Sequence, residues 1–161
     1  MRKFVLAAIG AICLLVVTAT DSSAHCQVPC GIYDDEARFT EMLEHVTTIE
    51  KSMNEITRLS KEAEEEDENE ENYNQIVRWV MNKENHSDKL AEIVTYYFVA
   101  QRIKPVDASD AEAHKAYLAK LELLHHLTVY AMKCKQTTDT ANTDKLKQLI
   151  GDFQAAYFGQ K

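Results

Sequence analysis

Apolar positions recur at steps of three and four along most of the chain, the spacing of a single buried helix face rather than of a strand. The clearest stripe is Phe39, Met42, Val46, Ile49, Met53, Ile56 and Leu59. It predicts a long amphipathic helix starting near Asp34 and Asp35, whose carboxylates suit the positive end of the helix dipole. The run EEEDENEEN (64–72) interrupts the pattern. Like charges at that density repel and nothing apolar is available to bury, so the expectation is a solvated helix end followed by a loop. A second helix is predicted from about Tyr73 to Arg102 on Ile76, Val80, Leu90, Val94, Tyr97 and Phe98. Its middle, NKENHSDK (82–89), is polar on every face, which marks either an exposed stretch or the polar lining of a site. Pro105 ends it, and Asp107 and Ser109 offer caps for a third helix carrying Tyr117, Leu118, Leu121, Leu124, Leu127 and Ala131. The polar link KQTTDTANT (135–143) leads to a fourth, with Leu146, Leu149, Ile150, Phe153 and Tyr157 on one face. With no strand pattern and no internal repeat, the expected fold is all-α: an up-down antiparallel four-helix bundle over residues 34–161.

Composition narrows the function before any motif is considered. A chain of 161 residues suits one domain, and its 4 Gly and 2 Pro leave helices uninterrupted. The formal net charge of -8 excludes the basic footprint of a nucleic-acid binder. It does not exclude a small anionic substrate, because a local field can oppose the global charge. The N-terminus has the form of a secretory signal. Arg2 and Lys3 precede an apolar run from Phe4 to Val17, which is short for a membrane span. A polar stretch then leads to Ser22 and Ala24 at the −3 and −1 positions of a small-residue cleavage site. Residues 1–24 are therefore expected to be removed, leaving an exported chain with no membrane segment that begins at His25. The destination would be periplasmic, extracellular or the lumen of an organelle. An uncleaved anchor is the rival reading of the same run.

Cleavage changes the cysteine arithmetic. Cys13 leaves with the signal, and Cys26, Cys30 and Cys134 remain. The bland expectation in an exported protein is a Cys26–Cys30 disulfide stapling a helical interaction domain, with Cys134 a buried small hydrophobe. A second reading comes from the segment HCQVPCGIY (25–33). A free His25 offers an α-amine and an imidazole, Cys26 a peptide nitrogen and a thiolate, and Cys30 a second thiolate returned by the Pro29–Gly31 turn. Fused chelate rings of mixed nitrogen and sulfur suit late first-row ions that accept a square plane, Ni(II) or Cu(II). Zinc would require a tetrahedron of four side chains that this segment does not supply. Strongly donating thiolate and amide ligands lower the potential of the oxidised metal, which points to one-electron chemistry rather than hydrolysis. A module that binds nickel or copper through the same ligands without turnover is the alternative.

HCQVPCGIY resembles the N-terminal hook of nickel superoxide dismutases, in which a mature chain begins His-Cys-x-x-Pro-Cys-Gly-x-Tyr and is followed by a four-helix bundle. Every fixed position matches; beyond the hook the likeness rests on helix number and order and on a Lys83-Glu84 segment. The resemblance implies one nickel ion per subunit, held by the amine and imidazole of His25, the amide nitrogen and thiolate of Cys26 and the thiolate of Cys30. Pro29 and Gly31 would shape the turn, and Tyr33 would stand over the open face of the metal. It further implies dismutation of superoxide to dioxygen and hydrogen peroxide, and a homohexamer. Such enzymes orient the axial imidazole with a carboxylate from the first helix and a basic residue from the second, for which Glu41 and His86 are the nearest candidates. The position after Cys26, often acidic in the family, is Gln27. Arg38, Arg78, Lys83 and Lys89 are the cations considered for guiding superoxide. His45, His114, His125 and His126 are expected to be structural or solvated, the last two being adjacent and so on different helix faces.

Overall fold

The computed structural model of the protein describes residues 33–65 and 70–159. Within them lie four helical rods and no strand: α1 (Asp35–Glu65), α2 (Glu70–Glu92, continued by a π-helical segment Ile93–Arg102), α3 (Ala111–Gln136) and α4 (Ala141–Phe158). The all-α bundle expected from the sequence is the fold observed. Neighbouring rods run antiparallel. His45 and Ser52 of α1 meet His86 and Asn82 of α2, so numbering rises along one as it falls along the other. The same reversal joins α1 to α4, where Asp35 meets Tyr157 and Glu50 meets Lys147.

Local chemistry accounts for the helix ends. Asp34 accepts from the Glu36 amide at 2.8 Å, and Asp35 and Glu36 occupy the first turn of α1. α1 persists beyond Leu59 and ends at Glu65, within the acidic run where a solvated helix end is expected; residues 66–69 of the expected loop lie outside the described residues. Arg58 bridges Glu55 at 2.8 Å and Glu62 at 2.6 Å, which offsets repulsion on that face. α2 likewise starts at Glu70 rather than Tyr73, its acidic first turn favoured by the dipole. The cap of α3 is Asp110, whose side chain accepts from the Ala113 amide, and not Asp107 or Ser109. Asp107 instead accepts from the Ser109 amide and forms the turn before the helix.

The core is the predicted α1 stripe, buried along its whole length from Phe39 to Leu59, packed against Leu90, Val94 and Phe98 of α2, Leu124, Leu127 and Ala131 of α3, and Leu146, Ile150 and Phe153 of α4. At one end Phe39, Phe98, Phe153 and Tyr157 interlock, with ring centroids 4.9–5.8 Å apart. Two expected core positions face outwards: Val80 is 37% and Leu118 49% exposed. The polar stretch 82–89 is exposed at Asn85, Asp88 and Lys89 and turns its other side inwards. Lys83 and Ser87 are buried, Asn82 donates to Ser52 Oγ at 3.0 Å, and His86 meets His45. It forms a polar layer between α1, α2 and α3. The signal segment 1–24 and residues 25–32 of the hook lie outside the described residues.

Candidate functional site

Tyr33 is the first described residue, and it leads the chain into a cleft of about 470 Å³ at the aromatic end of the bundle. α1 contributes Arg38, Glu41 and His45 to its walls, at the spacing of one helix face; α2 contributes Lys89 and Glu92, and its π segment Ile93, Tyr96, Tyr97 and Gln101. Tyr96 and Gln101, five residues apart, share one wall, and the Gln101 side-chain Nε2 donates to the Tyr96 carbonyl at 2.7 Å. The Tyr33 ring is exposed on the cleft side and held from behind. The Arg38 guanidinium lies 4.8 Å from its centroid, and the Tyr97 ring 6.4 Å away.

Of the residues predicted for the site, Tyr33 and Glu41 line this cleft, while His86 stands behind it on His45. His25, Cys26, Pro29, Cys30 and Gly31 fall outside the described residues. Glu41 is half-buried, pairs with Arg38 at 2.7 Å and lies 4.0 Å from His45 Nε2. Sequence reasoning missed His45 as a member of this group. Its Nδ1 is 2.9 Å from Nδ1 of His86. A hydrogen bond between two Nδ1 atoms requires one to carry the proton and the other to offer a lone pair. The available signal was the i, i+4 spacing of Glu41 and His45, together with a polar stretch at the same height on α2. Three buried polar atoms of the cleft, Arg38 Nε, Glu41 Oε2 and Gln101 Oε1, have no hydrogen-bond partner among the described residues, Glu41 Oε2 meeting Arg38 only as an ion pair. They are available to a polar group that enters the cleft.

The electrostatics keep the histidine pair neutral. Burial lowers the proton affinity of His45, the neighbouring His86 and Lys89 lower it further, and Glu41 and Glu44 only partly oppose this. His86 is lowered by burial and then by Lys89. Both rings therefore bind protons less readily folded than unfolded. Stability from this pair is complete above the unfolded histidine value of about 6.5 and is lost as pH falls through the lower folded values. In the metal-free protein the thermal midpoint should drop between pH 7.5 and 5.5, and His45→Gln should flatten that slope. Equal slopes in both proteins would refute the coupling. The Asp35 carboxyl titrates in a separate, more acidic window: burial would raise it, but hydrogen bonds from Tyr97 and Tyr157 and the Arg102 charge outweigh burial and hold it low.

Among the cations, Arg38 and Lys89 line the cleft. Arg78 belongs to a separate groove with Thr47, Lys51 and Trp79. Lys83 is buried with its ammonium on backbone carbonyls, which removes it as a surface guide for an anion. His125 and His126 are exposed, as expected, and Cys134 is fully buried.

No curated protein and no solved structure matches the chain. A family model described as nickel-containing superoxide dismutase matches residues 20–161, a span that takes in the hook sequence, the cleft and all four helices. The protein belongs to the nickel-containing superoxide dismutase family.

Proposed function

We propose that the mature chain, freed at His25 by removal of residues 1–24, is an exported superoxide dismutase that holds one nickel ion in the segment His25–Tyr33. The observation that carries this reading is the family match across residues 20–161, joined to a hook sequence that runs directly into the cleft wall at Tyr33. The donors offered by His25, Cys26 and Cys30 are the amine, imidazole, amide nitrogen and thiolates that a square-planar nickel site accepts. Bound there, nickel supplies a one-electron couple, Ni(II)/Ni(III), through which two superoxide anions and two protons become dioxygen and hydrogen peroxide.

The chain's own residues orient and admit. Tyr33, fixed by Arg38 and Tyr97, presents its hydroxyl to the substrate's approach. Glu41 and His86 are assigned to orienting the His25 imidazole, with His45 holding the His86 ring by the Nδ1 contact. Arg38 and Lys89 supply positive charge at the mouth of a protein whose overall charge would repel an anion. A homohexamer, as the hook resemblance implies, would bury the hooks between subunits. The decisive experiment is N-terminal sequencing and metal analysis of the exported protein with a superoxide-decay assay, before and after nickel removal. The reading expects a chain beginning at His25, stoichiometric nickel, and activity lost with the metal and restored by nickel alone. Nickel bound without turnover would leave a metal-binding module instead. Oxidised, metal-free Cys26 and Cys30 would leave a stapled interaction domain.

A further inference from the structure

Arg102, at the end of the π segment, spends every donor it aims inwards on the residues where the hook joins the bundle. Its Nε donates to Asp35 Oδ1 at 2.8 Å. Its Nη2 carries two protons and stands 2.7 Å from the Tyr97 hydroxyl and 3.3 Å from the Tyr33 carbonyl. The Tyr97 hydroxyl lies 3.3 Å from the same carbonyl, but its single proton goes to Asp35, with which it makes a short hydrogen bond. The Tyr33 carbonyl is thus held by Arg102. Asp35 is held in turn on its other oxygen by the Tyr157 hydroxyl of α4 at 2.8 Å. Three rods converge on one carboxylate, two residues after the hook ends. The Arg102–Asp35 pair is partly buried, the side chains being 19% and 30% exposed, so solvent weakens it less than a surface pair, while the contact to the Tyr33 carbonyl lies at the surface. Tyr97 and Tyr157 also pack into the hydrophobic core of this end, whereas Arg102 and Asp35 do not belong to it.

We propose that Arg102 and Asp35 are positioning residues for the metal centre: they clamp the Tyr33 peptide so that the hook is presented to its metal from a fixed anchor. The proposal rests on the nickel-hook reading above. A guanidinium is needed because its rigid fork reaches carboxylate, hydroxyl and carbonyl together, which a single ammonium cannot do. Releasing the anchor leaves one or two more residues to be ordered when the metal binds, at a conformational cost that corresponds to about a tenfold loss of affinity.

The test uses the mature nickel-loaded protein and the variants Arg102→Gln and Arg102→Lys, with helicity by circular dichroism as a check on folding. The readouts are nickel affinity by chelator competition and the electron paramagnetic resonance spectrum of the oxidised metal, which a purely structural role for Arg102 would leave unchanged. Arg102→Gln should bind nickel roughly tenfold more weakly and give broadened lines from a spread of geometries, with Arg102→Lys between it and the parent. A folded Arg102→Gln with parental affinity and spectrum would overturn the clamp. If that variant does not fold, Arg102→Lys decides on the same two readouts. A parent that fails to bind nickel through the hook would overturn the metal-centre reading and this proposal with it. That failure appears in the parent and so is distinguishable from failure of the clamp alone.

Discussion

One extra residue in front of His25 should abolish nickel-dependent superoxide dismutation and leave the four helices intact. The proposed ligand set includes an amine that exists only when His25 is the first residue. An added Gly or Ala converts that amine to an amide, which donates poorly and would have to lose a proton to bind. The bundle does not sense the change, because its core is built from Phe39 onwards and its first capped residue is Glu36. The expected result is activity reduced to background, at least a hundredfold on the scale by which lost reactive geometry lowers rates, with parental helicity and thermal midpoint. Full activity in the extended protein would refute the amine as a ligand.

The second large effect falls far from the hook. Lys83 is 4% exposed, and its ammonium donates to the carbonyls of Cys134 at 2.8 Å and Thr137 at 3.4 Å, with a short contact to that of Lys135. These are among the last carbonyls of α3 and its cap, which have no partner within the helix and carry the negative end of its dipole. A buried ion pair can sometimes be replaced by apolar side chains at no loss, because both charges disappear together. Here the acceptors are backbone and cannot be removed. Lys83→Met keeps the volume and strands the carbonyls, at a cost of about 2–4 kcal/mol, or roughly 10 °C in thermal midpoint. Lys135, whose pairs with Asp88 at 2.8 Å and Glu84 at 3.3 Å lie near the surface, gives the contrast. Lys135→Ala should cost under about 1 kcal/mol. Denaturant unfolding of the two variants beside the parent measures both, and a Lys83→Met protein as stable as the parent would show that water replaces the ammonium without loss.

Periodicity made the bundle legible because each rod packs mainly through one stripe. On α1 the stripe is complete, and each of its seven positions is buried. It misled at Val80 and Leu118, where an apolar residue continues a pattern past the point where a neighbouring rod covers it. The π segment left no readable mark: Ile93–Val99 reads as an ordinary apolar helix, and the choice of i→i−5 bonds, such as Ile103 to the Phe98 carbonyl at 2.9 Å, is made by packing and by the network around Asp35. The hook sequence was legible because its chemistry is contiguous, nine residues carrying the motif. The pairs made by residues distant in the chain were not. His45 and His86 are 41 residues apart, and Lys83 lies about 50 residues from the carbonyls it serves, separations over which a sequence alone does not reveal contact.

The burial of Cys134 has a bearing on how such a protein matures. Its side chain is wholly enclosed, and burial pushes the thiol up to about 11, the Lys83 charge opposing only in part. At neutral pH almost none of it is thiolate, the form that attacks disulfides and reacts with peroxide. If residues 1–24 are removed as proposed, Cys134 is the one further cysteine of the chain, and its enclosure would suppress exchange with the two hook cysteines. The same enclosure would spare Cys134 from hydrogen peroxide, the product of the proposed dismutation.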